Sequence, residues 1–167
     1  MPSSFAGSFA SVVTLLQVAR PRRVLDVGPG WGKYGLACRE YLDRIERLDA
    51  IEVPQGRLPT QDAIYDRVEE ADVRDHSNER FAGYDLVLLI DVVEHMTRAE
   101  GHKLLRDICT TGASIIAATP KLWFEQRDVR NPHEEHLSHW TWDQFAPYGI
   151  RDDLSTIDAI IYLLNHH

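Results

Sequence analysis

Three closely spaced glycines lie between an apolar stretch and a helix-forming stretch near the start of the chain. Residues 24–35 read VLDVGPGWGKYG, with the glycines of the turn at positions 28, 30 and 32. Glycine is needed where the backbone takes a positive φ or comes into close contact with a ligand. A helix that begins behind such a turn presents unpaired N–H groups at its start. The sequence therefore predicts a cofactor site at this turn.

Two classes of cofactor use a glycine turn of this kind, and an acid before the turn separates them. Gly30, Gly32 and Gly35 have the G-x-G-x-x-G spacing of dinucleotide sites, in which the pyrophosphate lies on a helix N-terminus. Asp26 precedes Gly28 by two residues. Its carboxylate would repel a pyrophosphate and attract a ligand that carries a cationic amino group. The second class of ligand is therefore favoured.

Two segments carry a resemblance to a known family. Residues 26–32 resemble the first motif of class I S-adenosylmethionine-dependent methyltransferases, which is an apolar strand, an acid and G-x-G-x-G. Residues 84–96, YDLVLLIDVVEHM, resemble the fourth-strand motif of that family. The resemblance spans roughly residues 24–142 and is to a small bacterial or phage-type member. It implies a Rossmann-like fold, S-adenosylmethionine as the cofactor, S-adenosylhomocysteine as the product and methyl transfer as the activity.

The resemblance implies cofactor contacts at the ends of the first four strands. Glu52, which lies 24 residues after Gly28, would accept hydrogen bonds from the ribose hydroxyls. Asp72 would accept a hydrogen bond from the adenine amine, and Val73 would pack against the ring. The predicted cofactor-binding residues are Asp26, Gly28, Pro29, Gly30, Gly32, Tyr34, Glu52, Val53, Asp72, Val73, Asp91 and Val92.

Three residues are predicted to act on the methyl acceptor. Asp91 ends the fourth strand and would lie beside the methionine end of the cofactor or the methyl group, and His95 would face the acceptor about one helical turn later. His95 and His136 are the first candidates for a general base, because imidazole titrates near neutral pH, and Asp91 is the third. A base is needed only if the acceptor must lose a proton. The motifs leave O-, N- and C-methylation open.

A segment rich in histidine and tryptophan, residues 130–142, follows the fifth predicted strand. Its Asn-Pro-x-Glu-x-His stretch resembles a loop of class I methyltransferases that act on small or sugar-linked acceptors. The resemblance implies that the acceptor is bound by His95, Asn131, Glu134 and His136. Histidine and glutamate are also metal ligands, but the order here is H-E-E-H and the H-E-x-x-H signature is absent. No metal site is therefore predicted.

The fold class follows from the alternation of short apolar runs with longer helical stretches. Strands are predicted at 24–27, 50–53, 85–90 and 114–118, with a weak strand at 72–73 and one or two within 155–164. Helices are predicted at 8–19, 34–48, 62–70, 98–109 and 141–145, the last with Thr141 as its N-cap. This order predicts one domain, residues 1–167, built as a three-layer α/β/α sandwich on a mostly parallel, seven-stranded type of sheet. Ligands bind such sheets at the carboxyl ends of the strands.

Composition restricts the class of partner. The net charge of −8 and the pI of about 5.4 argue against a nucleic-acid partner, so a small-molecule acceptor is expected. The two cysteines, Cys38 and Cys109, are expected to be buried free thiols of a reducing compartment. No apolar run has the length needed to cross a bilayer, so a cytoplasmic chain without membrane contact is expected. The sequence allows a homo-oligomer without indicating one.

Two other functions stay open at this point. A nicotinamide-dependent oxidoreductase on a Rossmann fold would need a second nucleotide-binding half, for which 167 residues leave little room. A non-catalytic module that binds S-adenosylmethionine and regulates a partner would have the same cofactor residues. The sequence does not separate this last function from an enzyme.

Overall fold

A computed structural model describes residues 6–126 and 131–165 of the chain. Seven strands form one sheet: β1 (Arg23–Val27), β2 (Arg47–Glu52), β3 (Arg67–Glu70), β4 (Leu86–Ile90), β5 (Ser114–Pro120), β6 (Ile150–Asp153) and β7 (Ala159–Leu164). Their order across the sheet is β3-β2-β1-β4-β5-β7-β6. Strands β1 to β5 pair in parallel, and β7 runs antiparallel to both β5 and β6. The predicted mostly parallel, seven-stranded sheet is confirmed.

Helices cover both faces of the sheet. They are α1 (Ser8–Ala19), α2 (Lys33–Tyr41), α3 (Pro59–Ile64), α4 (Arg98–Cys109) and α5 (Trp142–Phe145). One apolar core lies between the sheet and helices α1 and α2, and a second lies on the opposite face under α4 and α5. None of the helices in the described residues is both long and apolar enough to cross a membrane. The predicted three-layer sandwich is confirmed.

Burial explains the apolar sequence of β4 and the state of the thiols. All five residues of β4 are buried, because this central strand is covered by a core on each face. Cys38 is buried in one of those cores, whereas Cys109 is only half-buried, and both are free thiols. The prediction of free thiols is therefore confirmed for both cysteines, whereas the prediction that they are buried is confirmed for Cys38 and wrong for Cys109.

Two predicted helices extend too far. The helix predicted at 34–48 ends at Tyr41, and residues 47–52 form β2, whose backbone pairs with β1. The helix predicted at 62–70 ends at Ile64, and residues 67–70 form β3, which pairs with β2. In both places the backbone hydrogen bonds of the sheet outweigh a local helical preference.

The weak strand predicted at 72–73 is also wrong. Val73 begins a 3-10 turn, and Asp72 caps that turn because its carboxylate accepts a hydrogen bond from the Arg74 backbone N–H, 2.9 Å away. The helices predicted at 8–19 and 98–109 are confirmed, and α5 follows Thr141 as expected.

The strand order places a crevice at the carboxyl ends of β1 and β4. From β1 the chain continues to β2 on one side, whereas β4 and β5 extend the sheet on the other side. The loops that leave β1 and β4 therefore diverge, and ligands of open α/β sheets bind at such a point.

Candidate cofactor and acceptor site

A cavity of about 450 Å³ opens at the carboxyl ends of the central strands. It brings together residues from the ends of β1, β2 and β4 and from the segment after β5. The predicted site residues that line it are Asp26, Gly28, Pro29, Gly30, Tyr34, Glu52, Val53, Asp72, Val73, Asp91, Val92, His95, Asn131, Glu134 and His136. Gly32 is not among the residues that line the cavity, and its predicted contact with the cofactor stays a prediction.

The glycine turn after β1 has a backbone that other residues adopt with difficulty. Gly28, Gly30 and Gly32 have φ values of 64°, 54° and 83°. The Gly28 N–H donates to the Ile51 carbonyl over 2.9 Å, and the Gly32 N–H donates to the Pro29 carbonyl over 2.9 Å. Gly32 is also the N-cap of α2. The turn therefore exposes the Gly28–Gly30 backbone to the cavity and starts the helix behind it.

Asp26 lies in β1 with only 2% of its surface exposed. Its carboxylate accepts a hydrogen bond of 2.6 Å from the Tyr65 hydroxyl. Burial raises the pKa of Asp26 to about 7, the Tyr65 hydrogen bond lowers it and the nearby Glu52 carboxyl raises it. The cavity wall therefore contains an acid that would be stabilised in its charged form by a cation.

Glu52 ends β2 and turns its carboxylate toward the glycine turn. It accepts hydrogen bonds from the backbone N–H groups of Gly30, at 3.2 Å, and Val53, at 3.0 Å. The Gln61 side chain donates to the same carboxylate at 3.4 Å and to the Gly30 carbonyl at 2.8 Å. Burial raises the pKa of Glu52 to about 6. The side chain thus fastens the turn and still borders the cavity.

Asp91 follows β4 in a left-handed backbone conformation, with φ of 54°. A residue other than glycine rarely adopts this conformation, and such strain is concentrated at functional sites. Burial raises the pKa of Asp91 to about 6, whereas the charge of Lys33 lowers it. Lys33 starts α2 and also lines the cavity. The two side chains therefore bring opposite charges to the same cavity.

Glu94, His95 and His136 meet at the other end of the cavity. Glu94 is 2% exposed, and neither of its carboxyl oxygens has a hydrogen-bond partner of good geometry in the described part of the chain, although the Thr119 hydroxyl is near enough to lower its pKa. Burial raises the pKa of Glu94 well above its usual range and lowers the pKa of His95 to about 4. The imidazole rings of His95 and His136 have centroids 5.0 Å apart.

The segment after β5 is fastened to the loop after β4 by hydrogen bonds from its main chain and side chains to backbone carbonyls of that loop. The backbone N–H groups of Leu137 and Ser138 donate to the Glu94 carbonyl over 2.7 and 3.1 Å. The Trp140 indole N–H donates to the Val93 carbonyl over 3.0 Å, and the Ser138 hydroxyl donates to the Met96 carbonyl over 2.7 Å. These bonds hold His136 beside the 3-10 turn Val93–His95.

The predicted adenine contact, Asp72, is engaged with protein. Its carboxylate accepts hydrogen bonds of 2.6 to 3.0 Å from the Arg74 guanidinium, which keeps its pKa below the usual range. His133 lies 3.5 Å from the same carboxylate, and the Asn131 side chain accepts a hydrogen bond from the His133 backbone. Asp72 therefore borders the cavity as part of an ion pair. Arg130, the first residue of the predicted acceptor segment, lies outside the described residues.

Comparison with solved structures decides the fold family. No protein-family model and no curated protein sequence matches the chain. An S-adenosylmethionine-dependent methyltransferase from Clostridium acetobutylicum superposes with a TM-score of 0.70 at 12% identity, over 98% of this chain and 92% of that one. The chain has the class I methyltransferase fold.

Two further structures share this fold. The N-terminal domain of EvdMO1, crystallised with S-adenosylhomocysteine bound, has a TM-score of 0.67 at 15% identity over 95% of this chain and 81% of that one. An O-methyltransferase family protein from Burkholderia thailandensis has a TM-score of 0.63 at 16% identity over 95% of this chain. The chain spans 58% of the Burkholderia protein and 56% of a matched protein from Nostoc punctiforme. Identities this low establish a shared methyltransferase fold and no substrate.

Sequence reasoning missed three side chains of the cavity region. Tyr65, which bonds to Asp26, belongs to no motif and comes from the chain between α3 and β3. Lys33 follows the glycine turn directly, so its place at the start of a helix behind a ligand site could have drawn attention to it. Glu94 was part of the recognised fourth-strand motif, but only the structure shows that it is buried and that its oxygens have no hydrogen-bond partner of good geometry among the described residues.

We expect Gly35→Ala to destabilise the chain by about 1–3 kcal/mol, although alanine favours helices over glycine. A Cβ at Gly35 would lie within 3.0 Å of the Tyr65 phenol and the Ile64 side chain, and a ring has little freedom to move away. Urea unfolding measures the change. Gly7→Ala is the control, because a Cβ there meets nothing within 4 Å. Equal midpoints for the two variants would contradict this account of the α2–α3 contact.

Proposed function

We propose that the chain is an S-adenosylmethionine-dependent methyltransferase that acts on a small-molecule acceptor. The observation that carries the proposal is the buried Asp26 carboxylate in the wall of a cavity whose floor is the glycine turn. A buried acid with one neutral partner is stabilised by an incoming cation, and the amino-acid end of the cofactor carries an ammonium group. A pyrophosphate at the same place would be repelled.

The residues around Asp26 fit the rest of this cofactor. Lys33 can pair with the carboxylate of its amino-acid end, which places one protein charge against each ligand charge. Glu52 is at the end of β2, where its oxygens can accept hydrogen bonds from ribose hydroxyls once they release the backbone N–H groups that they now bind. Val73 is a buried apolar wall residue suited to the adenine ring, and Asp72 lies next to it.

S-adenosylmethionine supplies an electrophilic methyl group on a sulfonium that leaves as a neutral thioether. The tasks of the protein are therefore to align the acceptor with that methyl group and to exclude water. Asp91 follows β4 in a left-handed backbone conformation and lines the same cavity, so its carboxyl group is available for this alignment.

We place the acceptor against His95 and His136, with Asn131 and Glu134 at the edge of the same cavity. The lowered pKa of His95 keeps its ring neutral at pH 7, so a ring nitrogen can accept a hydrogen bond from an acceptor hydroxyl. Phe124 adds an aromatic wall, with its ring centroid 4.6 Å from that of His136. These groups suit an acceptor with both a polar group and an apolar surface.

A calorimetric titration tests the assignment. We expect S-adenosylhomocysteine to bind with a dissociation constant in roughly the micromolar range, whereas NAD⁺ at about 1 mM gives no heat. Transfer of label from methyl-labelled cofactor to a panel of hydroxyl and amine compounds then tests catalysis. Binding of NAD⁺ in preference to S-adenosylhomocysteine would replace the proposal with an oxidoreductase. Tight S-adenosylhomocysteine binding without transfer to any acceptor would favour the regulatory module.

A further inference from the structure

Three side chains with metal-binding atoms converge at the acceptor end of the cavity. One ligand atom from each of Glu94, His95 and His136 lies within 4.8 Å of the other two. Two imidazole nitrogens and a carboxylate oxygen are a donor set that binds zinc, iron(II) and other first-row divalent ions. We propose that Glu94, His95 and His136 form a binding site for a divalent transition-metal ion.

The hydrogen bonds of the two histidines fix which nitrogen is available. His95 Nδ1 lies 3.1 Å from the Glu135 carbonyl oxygen, and His136 Nδ1 lies 3.0 Å from the Phe124 carbonyl oxygen. A carbonyl oxygen only accepts, so each Nδ1 carries the proton and each Nε2 keeps a lone pair. Metal-binding histidines typically donate their second ring N–H to a backbone carbonyl or a carboxylate in this way. Both rings are thus held in the tautomer that a metal requires.

Glu94 supplies the independent observation. Its carboxyl group is 2% exposed, and neither oxygen has a hydrogen-bond partner of good geometry among the described residues. Buried polar atoms in proteins are nearly always partnered, so an unpartnered carboxyl at the wall of a cavity needs an explanation. The charge of the neighbouring Asp91 makes the position still less favourable for a carboxylate alone. A bound cation would coordinate the Glu94 oxygens and balance the negative charges of Glu94 and Asp91.

The backbone holds the three ligands in place. Glu94 and His95 are adjacent in a 3-10 turn, and the Leu137 N–H, one residue after His136, donates to the Glu94 carbonyl over 2.7 Å. The third ligand is therefore tied directly to the turn that carries the first two. A search for the H-E-x-x-H signature could not reveal this site, because its ligands come from two distant segments of the chain.

Three protein ligands leave coordination positions open, as in catalytic metal sites. Glu94, His95 and His136 line the cavity in which we place the acceptor, so with the ion bound an acceptor oxygen would bind the ion in place of a hydrogen bond to the His95 ring nitrogen. A metal-bound hydroxyl loses its proton more readily than a free one. This consequence rests on the proposed function and favours hydroxyl compounds as acceptors, whereas the metal site itself does not depend on it.

Cobalt(II) absorption provides the test, because nitrogen and oxygen ligands give this ion characteristic visible bands. The full chain is freed of metal with a chelator and titrated with Co²⁺, without any cofactor present. We expect one equivalent to bind, and we expect His136→Gln and Glu94→Gln to weaken binding by roughly 100-fold or more. Zn²⁺ should displace the cobalt and bleach the bands.

Controls exclude other histidines. His139→Gln should leave the cobalt spectrum unchanged, because His139 also contacts a backbone carbonyl, that of Lys121 at 3.1 Å, but belongs to no three-ligand cluster in the described chain. All variants carry His166→Asn and His167→Asn, so that the terminal pair cannot bind the ion. If Glu94→Gln does not fold, His136→Gln decides, since His136 is only half-buried.

The outcomes separate this site from the proposed function. Equal cobalt affinity in His136→Gln and the parent chain, or no visible bands up to about 1 mM Co²⁺, would overturn the metal site. S-adenosylhomocysteine binding is measured on the metal-free chain by calorimetry. Loss of one property with retention of the other therefore identifies which of the two proposals has failed.

Discussion

Replacing Asp26 with asparagine should weaken S-adenosylhomocysteine binding by roughly 30-fold or more at pH 8. Removing one member of a buried charge pair costs about 2 kcal/mol or more, and this energy corresponds to that factor. Asparagine has nearly the same shape and can still accept a hydrogen bond from Tyr65, so the change removes the charge and keeps the packing. Isothermal calorimetry gives the affinity.

The same residue should make ligand affinity depend on pH. Burial raises the pKa of Asp26 to about 7 in the ligand-free chain, so at pH 6 about one tenth of the molecules carry the carboxylate that an ammonium group needs. Affinity should therefore fall roughly tenfold from pH 8 to pH 6, and Asp26→Asn should be nearly flat over this window. Glu52 and Asp91, whose pKa values are raised to about 6, add to the pH dependence of the affinity mainly below this window.

The sign of the linkage gives an independent check on stability. Folding raises the pKa of Asp26 from 3.8 to about 7, so the folded chain binds this proton more tightly than the unfolded chain. The contribution to stability is full below pH 3.8 and is lost as the pH rises to about 7. Unfolding of the ligand-free parent chain and of Asp26→Asn should therefore differ most in its pH dependence between these two values.

Asp49 offers a control for the ligand affinity and its pH dependence. It is 1% exposed, lies in the neighbouring strand β2 and accepts a hydrogen bond of 2.7 Å from Tyr84, as Asp26 does from Tyr65, and it also forms an ion pair of 2.6 Å with Arg47. It does not line the cavity. Asp49→Asn should keep the affinity and the pH profile of the parent chain. An equal loss of affinity in both variants would show that burial, and not the position of Asp26, is responsible.

The fold could be predicted because its strongest signals are local. The run that became β4 is apolar along its whole length, since the central strand is covered on both faces, and the glycine turn follows an apolar strand directly. Strand β3 could not be predicted, because its sequence, RVEE, carries three charges and lies at the edge of the sheet. It is a strand because it pairs along the outer edge of β2, and this pairing depends on a distant part of the chain.

The same distinction between local and distant signals applies to the residues of the site. Asp26 and Asp91 were recognised because each lies at or next to the carboxyl end of a strand within a motif. The contact of His136 with the Glu94–His95 turn joins positions more than 40 residues apart through backbone groups of Leu137 and Ser138. Main-chain hydrogen bonds leave no pattern in residue types. The sequence placed both His95 and His136 at the acceptor, but only the structure shows that their ring centroids lie 5.0 Å apart.

Trp140→Ala should lower the free energy of unfolding by about 3–5 kcal/mol. The Trp140 side chain is fully buried, packs against Phe145 and occupies the space that Gly101 leaves on α4. Its indole N–H donates to the Val93 carbonyl and, over 2.8 Å, to the Ser138 hydroxyl. Truncation therefore opens a large cavity and removes the donor that these buried oxygens use. Urea unfolding followed by circular dichroism measures the loss.

Trp142 is the matched control, because it lies two residues later and is 58% exposed. Trp142→Ala should change stability by no more than about 0.5 kcal/mol, and similar losses in the two variants would contradict the anchoring role of Trp140. Trp140→Phe separates the two contributions, since it keeps most of the ring and removes the N–H donor. The Trp140 N–H donates to the turn that carries Glu94 and His95. If it helps to hold that turn, Trp140→Phe should weaken cobalt binding even under conditions in which the variant is fully folded.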